Sequence, residues 1–181
     1  MRDILAAVIA LGLLALAASL ATTLRFYRQR QRTAREAERA RGRTIVAELP
    51  TSEDLVLFSE DEGSFHYGDR SIEKHTIAAA RVLINGAPIV QVFSRRYAQR
   101  AAAHSASFED RPEGIARDRW DVAIDIIPTP REPGSAEVPI TTVLVECGAI
   151  RERVSQELAR TVFEAVKRSI TTPFPEVPPG D

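Results

Sequence analysis

One seven-residue stretch alternates between large apolar side chains and acidic or small ones: Trp120-Asp121-Val122-Ala123-Ile124-Asp125-Ile126. Successive side chains of a β-strand point to opposite faces, so this pattern predicts a strand with one apolar and one polar face. We expect Asp121 and Asp125 on the solvent side, about 13 Å apart at about 3.3 Å per residue, too far to chelate one ion together. The stretch predicts an antiparallel sheet with one wet face.

Other short β-type runs, separated by turn residues, precede and follow this strand. The pair Asn85-Gly86 is the strongest hairpin signal, because a tight two-residue turn needs positive φ at both positions. We also expect the strand at 140–147 to form a hairpin with 120–126 across the proline-rich segment 128–139. The complete set of expected strands is 44–49, 54–59, 64–67, 77–84, 89–93, 120–126 and 140–147.

The last periodic segment has helical spacing. Apolar residues recur every three or four positions across 150–170, which predicts one amphipathic helix. We expect its apolar stripe to pack on the face of the sheet that carries Trp120, Val122 and Ile124. The stripe consists of Val154, Leu158, Val162 and Val166. The fold class is therefore α+β, with a bent antiparallel sheet or barrel closed by a C-terminal helix.

The N-terminus carries an uncharged run from Ile4 to Leu24. A helix of this length rises about 31 Å, enough to cross a hydrocarbon core, so 1–24 is predicted to be a transmembrane anchor. Eight arginines lie between 25 and 43. By the positive-inside rule we expect a single-pass inner-membrane protein with its N-terminus outside and its domain in the cytoplasm. The alternatives are a signal peptide cleaved after Ser19-Leu20-Ala21, or a domain anchored in the periplasm.

The Arg-rich segment 25–43 is predicted to continue the helix until Gly42 ends it. We expect its first five arginines to lie at the membrane surface, near anionic lipid. These are Arg25, Arg28, Arg30, Arg32 and Arg35. Small-residue pairs in the anchor, such as Ala6/Ala10 and Ala17/Ala21, also allow a homo-oligomer through close helix approach.

Charge divides the 181-residue, 20.0 kDa chain in two. Residues 1–43 hold nine arginines against three acidic residues, whereas 44–181 hold fifteen basic against twenty-two acidic residues. The domain is acidic and the basic segment has few aromatic residues, so we expect no nucleic-acid partner. A single cysteine excludes a disulfide framework within the chain and a zinc site built on several thiolates.

Candidate chemistry is sparse. Cys147 with a histidine is the one arrangement that would make a nucleophile, and the histidines are His66, His75 and His104. Cys147 follows an apolar run, where a lone cysteine is usually a small buried hydrophobe. The histidines lack metal-ligand spacing, and no phosphate-binding or dinucleotide-binding glycine motif occurs. We expect no catalytic residue, no cofactor and no metal; the alternative is a membrane-associated enzyme of unknown reaction.

The order of strands followed by a helix resembles the bacterial pleckstrin-homology-like (PH-like) group. The resemblance rests on an aromatic strand, a short turn and a basic-apolar strand within 65–82, and it extends over 54–170. It implies a barrel in the domain 44–172. Phosphoinositide-binding relatives carry basic residues in an early loop, where this chain has Glu60, Asp61 and Glu62. Headgroup binding by the domain is therefore disfavoured by charge.

The segment Ser94–Arg119 is longer than such a barrel requires, and we expect one helical turn at 96–103. Its basic residues Arg95, Arg96 and Arg100 are the predicted contacts with an acidic protein partner. The tail 173–181 is proline-rich and is expected to be extended or disordered. Together these features predict a membrane-anchored, non-catalytic binding or scaffolding protein.

Overall fold

A computed structural model of the chain describes residues 2–50, 55–107, 118–128 and 139–171. Within its helices, the side chains of 2–10, 15, 24, 27 and 104–107 are not described. The tail 173–181 and most of the proline-rich segment 128–139 lie outside the described residues. The chain forms two compact units, 1–41 and 42–181.

The first unit is one continuous helix, α1 (Arg2–Ala40). It ends where the sequence predicts, because Gly42 adopts a positive φ of 76° that other residues rarely take. The main-chain N–H of Arg41 closes the last turn on the carbonyls of Ala37 and Glu38, each at 3.2 Å. Across the part of the chain that the structure describes, no helix combines the length and the apolar character that a membrane crossing requires.

The second unit begins with a four-stranded antiparallel meander, which we call sheet A. Its strands are β1 (Thr44–Pro50), β2 (Leu55–Glu60), β3 (Ser64–Tyr67) and β4 (Arg70–Glu73). Stacked rings of Phe58 on β2 and Phe65 on β3, with centroids 5.4 Å apart, fill its buried face. This face forms one side of the domain core.

The second sheet, sheet B, has the strand order β6-β5-β7-β8 and is also antiparallel. The predicted Asn85-Gly86 hairpin is confirmed, with φ values of 52° and 79° that suit a type I′ turn. The predicted hairpin of the last two strands is confirmed as well. The strands are β5 (Ile77–Ile84), β6 (Ala87–Phe93), β7 (Arg119–Ile126) and β8 (Thr141–Ala149).

The α+β class with antiparallel sheets is therefore confirmed. The described strands form two separate four-stranded sheets rather than one closed barrel. A PH-like barrel remains a prediction. The helix expected at 96–103 is present but displaced, because α2 extends over Ala98–Ser107.

Helix α3 (Arg153–Thr171) packs on both sheets, as expected for the C-terminal helix. Its buried stripe differs from the prediction, since Val154 is 62% exposed and Leu158 is only partly buried. The helix begins at Arg153, and the small residues Ser155 and Ala159 face the core in its first turns. The buried residues of α3 are Ser155, Ala159, Val162, Phe163, Ala165 and Val166.

The small stripe of α3 allows a close approach to the end of β8. A methyl group added at Gly148, whose φ is 109°, would lie 2.5 Å from the hydroxyl oxygen of Ser155. Glycine is needed there both for its backbone angle and for its lack of a side chain. Further along the helix, Val162 and Val166 belong to the same core as Trp120, Val122 and Ile124, as predicted.

Candidate partner-binding surface

Strand β6 is an edge of sheet B, since among the described strands it pairs with β5 alone. Its first five residues are exposed, and Ile89 and Val90 keep 52% and 48% of their surface in contact with solvent. The strand Ala87–Phe93 contains no charged residue. Edge strands are usually protected by charges, as β4 is by Arg70 and Glu73. An apolar, uncharged edge is therefore unusual in this domain.

Two features at the start of β6, a proline and a bulge, protect it against pairing with another strand. Val82 faces Val90 whereas Leu83 faces Pro88, so Ile89 is an extra residue in a bulge. Proline and a bulge both discourage pairing with another strand. From Val90 to Phe93 the register is regular.

The hydrogen-bond pattern shows which main-chain groups of β6 point outward. The N–H of Ser94 donates to the carbonyl of Ala78 at 2.8 Å, which makes these two residues a hydrogen-bonded pair. Such pairs alternate along an antiparallel ladder. The next pairs are therefore those of Val92 and Val90 with β5. It follows that the main-chain groups of Gln91 and Phe93 point away from β5.

Two of the three predicted contact arginines lie directly after β6. Arg95 and Arg96 are exposed in the turn between β6 and α2. The guanidinium of Arg96 lies 5.8 Å from the ring centroid of Tyr97, whose main-chain N–H donates to Ser94 at 3.1 Å. Arg100 is half-buried in α2 and already interacts with the rest of the protein. Of the three predicted contacts, Arg95 and Arg96 are therefore the exposed ones.

Helix α2 fixes this turn by packing against sheet B. Ala101 is fully buried and forms a small apolar cluster with Ala78, Ala79 and Ile127. Tyr97 and Phe93 pack against the same cluster. Because small side chains meet here, α2 lies close to the sheet, and the turn carrying the two arginines is held at the end of β6.

The face of sheet B that was predicted to be wet is buried instead. Asp125 on β7 and Arg81 on β5 have no exposed surface, and a guanidinium nitrogen of Arg81 donates to Oδ1 of Asp125 at 2.6 Å. The hydroxyl of Thr142 on β8 donates to the same oxygen at 2.7 Å. The prediction for Asp125 was wrong because strand alternation shows that two faces differ, not that one of them meets water.

The prediction for Asp121 was wrong for the same reason, since this residue is also fully buried. The Nε of Arg119 lies 2.7 Å from Oδ1 of Asp121, so the two side chains form a buried ion pair. Arg119 also pairs with Glu146 at 2.9 Å. Desolvation raises the pKa of Asp121 from 3.8 to about 6, against the attraction of Arg119.

Cys147 lies in the apolar core, with no exposed surface. Its thiol approaches the carbonyl oxygen of Val145 at 3.6 Å. Burial, supported by the nearby charge of Asp121, raises the pKa of this thiol from 9.0 to about 12. A thiol with that pKa is protonated at neutral pH and is a poor nucleophile.

Two of the histidines pair with carboxylates rather than with the cysteine. Nε2 of His66 lies 2.7 Å from Oδ2 of Asp61, and His75 lies 3.4 Å from Glu73. The hydrogen bond to His66 lowers the pKa of Asp61 below 3.8. The stabilisation from Asp61 is therefore present above about pH 4 and is lost as the pH falls through its lowered pKa. The side chain of His104 is not described.

The acidic turn after β2 is a structural element. Oδ1 of Asp61 accepts hydrogen bonds from the main-chain N–H groups of Gly63 and Ser64, at 3.0 and 2.7 Å. The ammonium of Lys74 donates to the carbonyl oxygen of Asp61 at 2.6 Å and pairs with Glu60 at 3.2 Å. These contacts connect the β2–β3 turn to the segment after β4. The acidic residues here stabilise the turn, because Asp61 accepts its main-chain hydrogen bonds and Glu60 forms an ion pair with Lys74.

The arginines predicted to meet lipid lie on α1. Arg25, Arg28, Arg30 and Arg32 are exposed, and the guanidinium of Arg30 lies 5.9 Å from the ring of Phe26. Arg35 is half-buried and interacts within the protein. The described part of the chain contains no group of three or more His, Cys, Asp or Glu side chains placed to hold a metal ion.

Comparison with protein-family models, with curated proteins and with solved structures found no match to this chain. The sequence analysis missed two features, the edge position of β6 among the described strands and the buried charges on β5 and β7. Arg81 was the available signal, because it interrupts an otherwise apolar strand and must therefore find a buried acidic partner. No comparable signal predicts that β6 is an edge strand, because the residue pattern of one strand does not show which other strands pair with it.

Proposed function

We propose that the chain is a membrane-anchored, non-catalytic binding or scaffolding protein whose domain binds an acidic protein partner at the cytoplasmic face of the inner membrane. The observation that supports this proposal is the exposure of Arg95 and Arg96 in the turn after β6, the strand that carries the exposed apolar residues Ile89 and Val90. Apolar contact area beside a pair of basic residues is a common composition for a protein interface.

Arg95 and Arg96 favour an acidic partner over a basic one. Their charge is opposite to the net charge of residues 44–181, which is negative. A basic spot on an acidic domain attracts acidic partners locally, while the net charge repels them elsewhere. The folded domain does not depend on either residue, because exposed charges in a turn contribute little to stability.

Membrane attachment rests on the first 43 residues. The run 4–24 has no charge, and the arginines follow it at once. Large exposed leucines on α1 support a lipid environment, since such apolar surface is costly in water. They are Leu11, Leu13, Leu14, Leu16 and Leu20. An anchored domain meets membrane-bound partners at a raised effective concentration, which is the use of tethering for a binding module.

The non-catalytic assignment is supported by Cys147. This thiol is buried and protonated, and the two histidines with described side chains pair with acidic residues. A nucleophile needs a partly exposed, electropositive setting, which this position does not offer.

The test is co-purification of the tagged full chain from detergent-solubilised membranes. We expect Arg95→Glu/Arg96→Glu to lose specific partners that the wild type retains. The matched control is Arg151→Glu/Arg153→Glu, which makes the same charge change at two exposed positions near the start of α3. Equal partner recovery from both variants would refute the proposed surface. Loss with both variants would show a dependence on overall charge alone.

A further inference from the structure

We propose that Asp121 regulates the proposed binding surface: when it takes up a proton, Arg119 loses an ionic partner and the β5–β6 turn, which the main chain of Arg119 holds, becomes looser. This inference rests on the proposed function, because it names a regulation of that surface. Its basis is a set of contacts at the start of β7, where a buried carboxylate shares an arginine with a second carboxylate.

The described charged and titratable groups around Asp121 come from two strands, and Asp121 itself has no exposed surface. On its own strand, Nε of Arg119 lies 2.7 Å from Oδ1 of Asp121. On β8, Glu146 is the cross-strand partner of Asp121, and Cys147 follows it. On β5, the residue opposite is the apolar Leu83. Arg119 also pairs with Glu146 at 2.9 Å, so one guanidinium balances two carboxylates.

The two carboxylates differ in exposure, which decides which of them takes up a proton first. The side chain of Glu146 keeps 40% of its surface in solvent, whereas Asp121 keeps none. Desolvation raises the pKa of Asp121 to about 6. From β3, the hydroxyl of Tyr67 accepts the main-chain N–H of Glu146 at 3.3 Å, and burial raises its pKa above 10.0, so it stays neutral. Near pH 6 the proton therefore goes to Asp121, and of the two carboxylates only Glu146 keeps its charge beside Arg119.

The main chain of Arg119 connects this carboxylate to the β5–β6 turn. Its N–H donates to Oδ1 of Asn85 at 3.2 Å, and the N–H of Asn85 donates to its carbonyl oxygen at 3.1 Å. Asn85 and Asp118, the residue before Arg119, are the two described non-glycine residues with positive φ, 52° and 61°. Such conformations persist only where the surrounding contacts hold them. A weaker hold on Arg119 therefore loosens the turn.

The turn begins the strand that carries the apolar part of the proposed surface. Ile89 and Val90 lie within five residues of Asn85, and the bulge falls at Ile89. A looser turn gives these residues more orientations, and ordering them again on binding lowers the affinity for a partner. Acid stabilises the domain as a whole, because the neutral form of Asp121 is easier to bury. The proposed loosening is thus a local change within a folded domain.

The experiment is hydrogen–deuterium exchange of the full chain in detergent, read out by mass spectrometry. Asp121→Asn keeps the shape of the side chain but cannot ionise, so at pH 7 it represents the protonated state. We expect residues 84–90 to exchange about fivefold faster in this variant than in the wild type at pH 7, a factor within the coupling measured for residues in contact. At pH 5, where the wild type is protonated as well, the two should exchange equally. Residues 60–64, in the β2–β3 turn, should not differ at either pH.

A matched variant and a second measurement separate the switch from general loosening. Asp69→Asn makes the same chemical change at an exposed position in the β3–β4 turn, and it should leave the exchange of 84–90 unchanged. The unfolding free energy at pH 7 should rise in Asp121→Asn although 84–90 exchange faster. Faster exchange throughout the domain together with a lower unfolding free energy would overturn the switch.

The regulation itself is measured by co-purification at pH 7 with tagged full chains. We expect Asp121→Asn to recover less of the specific partners than the wild type and Asp69→Asn to recover as much. Equal exchange of 84–90 in the wild type and Asp121→Asn at pH 7 would overturn the switch and leave the proposed function standing. Faster exchange with undiminished partner recovery would overturn the regulation alone. Faster exchange in a chain that retains no specific partner, even as the wild type, would overturn the proposed function.

Discussion

Arg81 and Asp125 form an ion pair with no exposed surface, with the guanidinium of one strand 2.6 Å from the carboxylate of the next. The pair joins the two central strands of sheet B, and Thr142 extends it to β8. Strand β6 pairs with β5, so the sheet that carries the proposed binding surface contains this buried ion pair.

Breaking this pair should destabilise the domain strongly. Asp125→Asn removes the carboxylate that accepts a hydrogen bond from the buried guanidinium of Arg81, which costs about 3–5 kcal/mol of unfolding free energy. The double variant Arg81→Met/Asp125→Leu removes both charges and should lose much less. Urea unfolding of the full chain in detergent, followed through the fluorescence of the single tryptophan, Trp120, measures both. Equal losses in the two variants would show that packing rather than charge pairing dominates.

Asp121 should make the stability of the domain depend on pH. Its pKa is 3.8 in the unfolded chain and about 6 in the folded one. Between these values the folded chain binds more protons, so the unfolding free energy falls as the pH rises from about 4 to about 6, by about 3 kcal/mol in total. Above about pH 6 the contribution of Asp121 to the unfolding free energy should no longer change with pH. Unfolding curves across pH 4–8 test this.

The control for this pH dependence is Asp121→Asn, which cannot ionise. We expect it to flatten the slope between pH 4 and pH 6 and to stabilise the domain at pH 7. Arg119 keeps a partner in this variant, because it also pairs with Glu146. An unchanged slope would assign the dependence to another group.

The buried stripe of α3 provides a matched pair of substitutions. Val162→Asp places a carboxylate at a position without exposed surface and should cost several kcal/mol, or prevent folding. Val154→Asp makes the same change at a position that is 62% exposed, and it should change stability by less than about 0.5 kcal/mol. Thermal melts of the two variants decide this. Comparable losses of stability in the two variants would show that α3 also packs on the sheets through the face that carries Val154.

The thiol of Cys147 should be inert in the native protein. Its burial and its pKa of about 12 leave almost no thiolate at pH 8. We expect no labelling by iodoacetamide at pH 8 before urea is added and full labelling afterwards. Rapid labelling of the folded chain would reopen the enzyme alternative, in which this cysteine is a nucleophile.

The sequence predicted those elements that local patterns determine. The Asn85-Gly86 turn needed two positive φ angles, and the apolar side of β7 followed from its alternation, so both were confirmed. The starting residue and exact face of α3 were harder to predict. A stripe through Ser155 and Ala159 is less apolar in sequence than one through Val154, yet it lets the helix lie closer to the sheets.

Long-range features could not be predicted in this way. Strand alternation could not show that the second face of sheet B is buried, so Asp121 and Asp125 were assigned to solvent. The edge position of β6 among the described strands depends on β5 pairing with β7, and these two strands start forty-two residues apart, at Ile77 and Arg119. Arg100, the third predicted partner contact, lies on α2, and its side chain is half-buried and interacts within the protein. The position of this helix also could not be predicted from local patterns.

The most direct test of a tethered binding protein is where its partner is found in cells. The fraction of the co-purifying protein that sediments with membranes is compared between the full chain, a chain beginning at Gly42, and the full-length Arg95→Glu/Arg96→Glu variant. We expect the partner in the membrane fraction only with the unaltered full chain, because recruitment needs both the anchor and the basic surface. An identical distribution of the partner in all three strains would contradict the proposed function.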